Sequence, residues 1–254
     1  MTNQISSTLQ VIESRTTKAG RPQPAARYNG PCREDCPYCG GYGWVRRDLD
    51  IFDPDFGQIF PCPNADLFKL YGKRIGLEES EKSLDWSKII PNENVSEAVR
   101  AVKETINRGY GWVFLWGGVG LAKTLILKIA VSESIRLLKQ SSYARMAEII
   151  DDLRGSFDAD RPSIEGDSRM KWWTGTNVLC IDEFDRLRNT EYAEERRFVL
   201  MDRRYESALD GRTVTLMAAN TNPATYDSYL FDRIRDGRFR IVELTGQSAR
   251  PMMK

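Results

Sequence analysis

The chain has 254 residues, 41% of them hydrophobic and 29% charged, a composition that supplies an apolar core and excludes general disorder. Its 37 Lys and Arg nearly cancel its 36 Asp and Glu, leaving a net charge of +1, so no global basic field holds nucleic acid and any such contact rests on local patches. There is no histidine, which excludes imidazole as a metal ligand or general base, and with no signal-peptide pattern and no apolar run near the ~20 residues of a membrane span, a soluble cytoplasmic protein without a membrane partner is expected.

Residues 1–30 are polar, carry Pro, Gly and Ser, and show no helical or strand period, which predicts a flexible N-terminal arm. Residues 31–66 contain four of the five cysteines. In a chain of cytosolic character these are ligands rather than disulfides. Cys32, Cys36, Cys39 and Cys62 supply four thiolates for tetrahedral zinc, and the Cys36/Cys39 pair followed by Gly40 has the form of a zinc-knuckle turn. Ala65 stands where a second tight pair would end, so Cys32 serves as the fourth ligand. A segment this short buries little core of its own, and a bound metal supplies on the order of 10–16 kcal/mol. Unligated structural thiols are the alternative. Turn-rich stretches at Gly40–Val45 and Asp53–Gly57 complete a small metal-stapled hairpin. Residues 67–91 predict a short helix and a charged linker.

From residue 92 to 254 helical and strand patterns alternate, as in a parallel sheet with helices on both faces. Ala98, Val99, Ala101, Val102 and Ile106 recur at helical spacing, and Val113–Trp116 is an unbroken apolar strand. An amphipathic helix over Leu125–Leu138 follows, then a short strand and helix over Ala144–Leu153. Strands at Val178–Ile181 and Val214–Ala218 flank a helix around Arg196–Ser207, and a last strand fits Ile241–Leu244. Cys180, inside an apolar strand, belongs to the core.

Gly117, Gly118, Val119, Gly120, Leu121, Ala122, Lys123 and Thr124 follow a strand and open a helix, the setting of a P-loop. Backbone N–H groups and the helix N-terminus hold phosphates there, Lys123 reaches the β- and γ-phosphates of ATP, and the Thr124 hydroxyl holds Mg²⁺. The usual Gly before the Lys is Ala122. At the start of a helix ordinary helical dihedrals suffice, so the extra methyl is expected to be tolerated. A Gly-rich turn with no phosphate role is the plain alternative. Val178–Ile181 runs into Asp182 and Glu183, which have the form of a Walker B element: Asp182 for Mg²⁺, Glu183 to polarise the attacking water. Asn220, at the end of the next strand, is placed for a side chain between the γ-phosphate and the water, against the plain alternative of an asparagine in a post-strand turn. The Arg-rich stretch Tyr229–Arg238 offers Arg233, with Arg235 next, as an arginine finger, against the alternative of a solvated basic turn.

In this order these elements, together with Arg204-Tyr205 and the Gly246–Arg250 tail, resemble the DnaC/IstB family of AAA+ ATPases over about residues 84–250, and the cysteine module is similar to that of DnaC-like helicase loaders. The resemblance implies a P-loop AAA+ core with a parallel five-stranded sheet, flanking helices and no C-terminal helical lid, preceded by the four-cysteine zinc module. It implies a Mg²⁺-dependent ATPase, activated by ring or spiral self-association and by DNA, that loads a DnaB-type replicative helicase onto single-stranded DNA, gripping the helicase through its N-terminal region. An IstB-like transposition ATPase acting on duplex DNA and a hydrolysis-poor nucleotide-switch adaptor are the alternatives. Arg196, Arg197, Arg203 and Arg204 form either a DNA-binding patch or a helix face solvated and paired with Glu194, Glu195 and Glu206.

Overall fold

A computed structural model describes residues 30–53, 56–90, 93–154 and 162–246. The expected N-terminal arm up to Asn29, Pro54 and Asp55 of the hairpin spacer, and the tail from Gln247 lie outside these. The chain divides into two compact units, Met1–Gly72 and Lys73–Lys254.

In the first unit β1 (Trp44–Arg46) pairs antiparallel with β2 (Ile59–Pro61), with Val45 opposite Phe60. Helix α1 (Leu67–Tyr71) starts where the Asp66 carboxylate accepts from Lys69 N at 3.2 Å. Among the described residues of this unit the buried apolar side chains are Cys32, Cys36, Cys62 and Leu67. Two strands of three residues with this interior are far from a self-sufficient core.

The second unit holds a five-stranded sheet of β3 (Gly111–Gly117), β4 (Ser141–Arg145), β5 (Val178–Asp182), β6 (Val214–Ala219) and β7 (Arg240–Leu244). All pairs are parallel and the order is β4-β5-β6-β3-β7. Because β6 lies between β3 and β5, the C-terminal ends of these three strands stand side by side. Helices α2 (Glu93–Arg108) and α3 (Lys123–Arg136) cover one face; α4 (Met146–Arg154), α5 (Pro162–Gly175) and α6 (Glu191–Leu209) cover the other, where α7 (Ser228–Ile234) packs on α6. Both faces being covered, β5 and β6 are buried at every position, which is why they read as continuous apolar runs. Trp112, Phe114, Leu179, Ile181 and Met217 share one cluster with Met146, Leu200 and Phe239. Val113 and Leu115, alternating with them, are buried too.

Three departures from the sequence pattern have physical causes. Helix α3 is not amphipathic: Ile126, Leu127, Ile129, Ala130, Val131, Ser132, Ser134 and Ile135 are all buried, because the sheet lies on one side and residues 79–84 on the other. Ser132 Oγ donates to Lys82 O at 2.7 Å, Arg136 donates to Lys82 O and Leu84 O at 3.0 Å, and Lys128 pairs with Glu81. Arg204 is not on a solvated face. Its guanidinium is fully buried and donates to Thr215 Oγ1 at 2.7 Å, Trp173 O at 2.9 Å, Thr176 O at 3.0 Å and Val214 O at 2.5 Å, so it ties the end of α5 to β6 and carries no DNA contact. The periodicity also misses α5, whose tryptophans and Met170 pack inward between polar neighbours.

Candidate functional site

The loop after β3 begins with a close approach. Gly117 has φ 141°, and a Cβ there would lie 2.1 Å from Leu244 O of β7, so a side chain is excluded. The loop then enters α3 through Ala122, and here the expectation of helical dihedrals fails: Ala122 has φ 61° and ψ 9°. As N-cap residue it is only half in the helix, its carbonyl accepting from Ile126 N at 2.9 Å, while the tight turn demands the left-handed region. For a non-glycine residue that costs about 1–2 kcal/mol. Lys123 is buried, its Nζ donating to Gly117 O and Gly118 O at 2.7 Å and to Asn220 Oδ1 at 3.0 Å.

Thr124, on the first turn of α3, donates from Oγ1 to Asp182 Oδ2 at 2.7 Å. The same oxygen accepts from Tyr143 OH at 2.8 Å, and Asp182 Oδ1 accepts from Glu183 N at 2.8 Å. Burial, followed by the Asp182 charge, pushes the Tyr143 phenol well above its ordinary range, so it stays a donor. Glu183 also takes a left-handed backbone, φ 46°. Its carboxylate faces Arg145 at 3.7 Å across the β4–β5 ends. Asn220 is held by its backbone: Asp185 Oδ2 accepts from Asn220 N at 3.0 Å and Thr221 N at 3.2 Å.

These groups surround one cavity of about 710 Å³, lined by Val119 to Leu125, Asp182, Glu183 and Asn220, and also by Glu81, Leu84, Lys128 and Arg186. A volume of this order suits a small-molecule ligand such as a nucleotide. Lys123, the loop N–H groups and the N-terminus of α3 make an anion cradle; the oxygens of Thr124 and Asp182, 2.7 Å apart, are hard donors of the kind Mg²⁺ takes. Sequence reasoning missed Tyr143, Arg145, Glu81 and Lys128. The one signal for the first two was their strand, which ends beside β5.

Arg233 is elsewhere. It lies in a separate cleft of about 490 Å³ between α6 and α7 with Glu191, Phe198, Met201 and Asp227. Its Nη2 donates to Asp202 Oδ1 at 2.6 Å, and its guanidinium sits 3.4 Å from the centroid of the Tyr229 ring. Arg235 pairs with Asp232 at 3.0 Å. On α6, Arg196 pairs with Glu195 and Arg197 with Glu194; Arg203 is exposed.

In the first unit the Sγ atoms of Cys32, Cys36, Cys39 and Cys62 all lie within 4.8 Å of one another, and Cys36 and Cys62 are 3.7 Å apart. Four thiolates about 2.3 Å from one zinc ion would be separated by about 3.8 Å, so the set fits the metal. Gly43 N donates to Cys39 Sγ at 3.2 Å and Asn64 Nδ2 to Cys36 Sγ at 3.7 Å. Burial raises the Cys36 thiol, but the backbone N–H groups of Tyr38 and Cys39, with the Cys32 and Cys62 thiols, outweigh it and bring it down to about 6; Cys32 is pushed up to about 12, first by burial and then by Cys36 and Cys39.

No protein-family model and no curated protein sequence matches the chain. Among solved structures it is similar to the replication initiator DnaA bound to AMPPCP and single-stranded DNA, with TM-score 0.57 and 17% identity over 67% of this chain and 51% of that one. It is also similar to DnaI, with TM-score 0.53 and 13% identity over 70% of this chain and 99% of that one. The DnaC helicase loader aligns with TM-score 0.54 and 12% identity over 66% of this chain and 100% of that one. The chain spans about half the length of two DnaA chains it matches, 51% of each. The fold is therefore the AAA+ fold that replication initiators and helicase loaders share. Among the described residues no helix is long and apolar enough to cross a membrane.

Proposed function

We propose that this chain is a Mg²⁺-dependent ATPase of DNA replication that loads a DnaB-type helicase onto single-stranded DNA. The observation that carries the reading is the convergence of Lys123, Thr124, Asp182, Glu183 and Asn220 on one cavity of an AAA+ sheet. In it Lys123 exchanges its contacts with Gly117 O and Gly118 O for phosphate oxygens, and the backbone from Gly117 to Thr124 cradles the chain of phosphates. Mg²⁺ held there would supply positive charge against the phosphates. Thr124 and Asp182 hold the cation, Glu183 orients and polarises water, and Asn220, already joined to Lys123, senses the γ-phosphate. Arg233 acts on a neighbouring chain in a ring or spiral, which requires its bond to Asp202 to be exchanged on assembly. Cys32, Cys36, Cys39 and Cys62 would hold zinc, which would staple the N-terminal module, the part assigned to the helicase.

Glu183→Gln tests the chemistry: ATP hydrolysis should fall about a hundredfold or more with ATP binding retained, and equal turnover of the two proteins refutes the enzyme. Size-resolved mixing with the host's DnaB-type helicase, with and without ATP, tests the partner. A complex lost on deleting residues 1–66 supports the loader; no complex in either state returns the weight to an IstB-like transposition ATPase. The left-handed Ala122 favours one further reading, a nucleotide switch with slow hydrolysis.

A further inference from the structure

We infer that Tyr143 is a positioning residue for the cation site, fixing the Asp182 carboxylate against Thr124 and joining it to the Glu81–Lys128 wall of the cavity. The inference rests on the nucleotide-site reading and deepens it. The last torsion of an aspartate is broad and nearly two-fold, so Asp182 alone does not keep Oδ2 turned toward Thr124. Its register partner in β4 is Arg145, a cation on the neighbouring strand whose guanidinium faces Glu183. Two hydroxyl donors on Oδ2, from Thr124 at 2.7 Å and Tyr143 at 2.8 Å, and Glu183 N on Oδ1 at 2.8 Å remove that freedom. When the Thr124 oxygen turns a lone pair to a cation, Tyr143 is the side-chain donor that keeps Oδ2 in place.

Tyr143 is itself fixed from both ends. Its ring is buried, and Lys128 Nζ stands 5.1 Å from the ring centroid while pairing with Glu81. At its backbone, residue 76 comes so near that a Cβ there would lie 1.8 Å from Tyr143 O. Only Gly76 permits this. The cation site and the wall formed by residues 80–84 therefore share one side chain.

The test is Tyr143→Phe in the full chain, which keeps the buried ring and removes only the hydroxyl. A fluorescent ATP analogue is titrated with and without Mg²⁺, and Mn²⁺ bound with the nucleotide is counted by its spin-resonance signal. The concentration of either metal at half-saturation should rise about tenfold, the scale of lost outer-shell partners, with metal-free nucleotide affinity within about twofold. An unmoved metal dependence, or an equal loss without metal, overturns the positioning role. Thr124→Ala separates the two readings: if it and the unaltered chain bind nucleotide alike with and without Mg²⁺, the site reading falls, and this inference with it.

Discussion

Ala122 and Glu183 are two of the three non-glycine residues with positive φ among the described residues, and both border the phosphate cavity. Strain of this kind persists where the surroundings over-determine it. At Ala122 the surroundings are β3, tied to Leu244, and α3, packed on both sides. Replacing Ala122 by Gly relieves about 1–2 kcal/mol and adds about 0.5–1 kcal/mol of unfolded-chain entropy. Chemical denaturation should therefore find stability from unchanged to about 1.5 kcal/mol above the parent, while calorimetric titration finds ATP affinity little changed, because the turn is already formed before a nucleotide binds. A large destabilisation by Ala122→Gly would show that the methyl packs and is not strained.

Helix α6 packs through Ala193, Leu200, Met201 and Ala208 and is tied to the sheet by Arg204. Arg204 satisfies Thr215 Oγ1 and the carbonyls of Trp173, Thr176 and Val214 with no acidic partner among the described residues, and burial brings its pKa down to about 9. These buried acceptors lose their donor if it is removed. Arg204→Ala should lower the unfolding free energy by roughly 3–5 kcal/mol, in the range for an uncompensated buried polar network, read as a lower urea midpoint. Thr215→Val, which removes one acceptor and leaves the carbonyl contacts, should cost about 1 kcal/mol. Equal midpoints for Arg204→Ala and the parent would mean water replaces the guanidinium. The contrast with Arg196 and Arg197, each paired to a neighbouring glutamate on the same helix, is one of place along the helix: Arg204, about two turns beyond Arg197, lies against Thr215 and Val214 of β6.

At the scale of the molecule, the two units are stabilised by different means. The second has a sheet covered on both faces; the first has cysteines for an interior. Elemental analysis should find one zinc per chain, and a strong chelator should open residues 30–72 to protease, with the cleavage sites mapped by mass spectrometry. Protection unchanged by complete metal removal would leave the thiols as plain core.

The order of motifs along the chain is legible in the residues alone: a Gly-rich turn between strand and helix, a strand ending in two carboxylates, and an asparagine after the next strand, since each is written in neighbouring residues. So is the cysteine set, because ligand type and spacing are local. The third dimension decided what local pattern cannot carry. Strand order put β6 between β3 and β5, and so set Asn220 beside Lys123, across ninety-seven positions of sequence. It put Tyr143 against Asp182 and buried Arg204, although in sequence the first looks like any strand tyrosine and the second like its arginine neighbours. The reason is that a side chain's chemistry depends on what faces it, and long-range pairing of strands determines the facing, whereas hydrophobic period reports only that some face is covered.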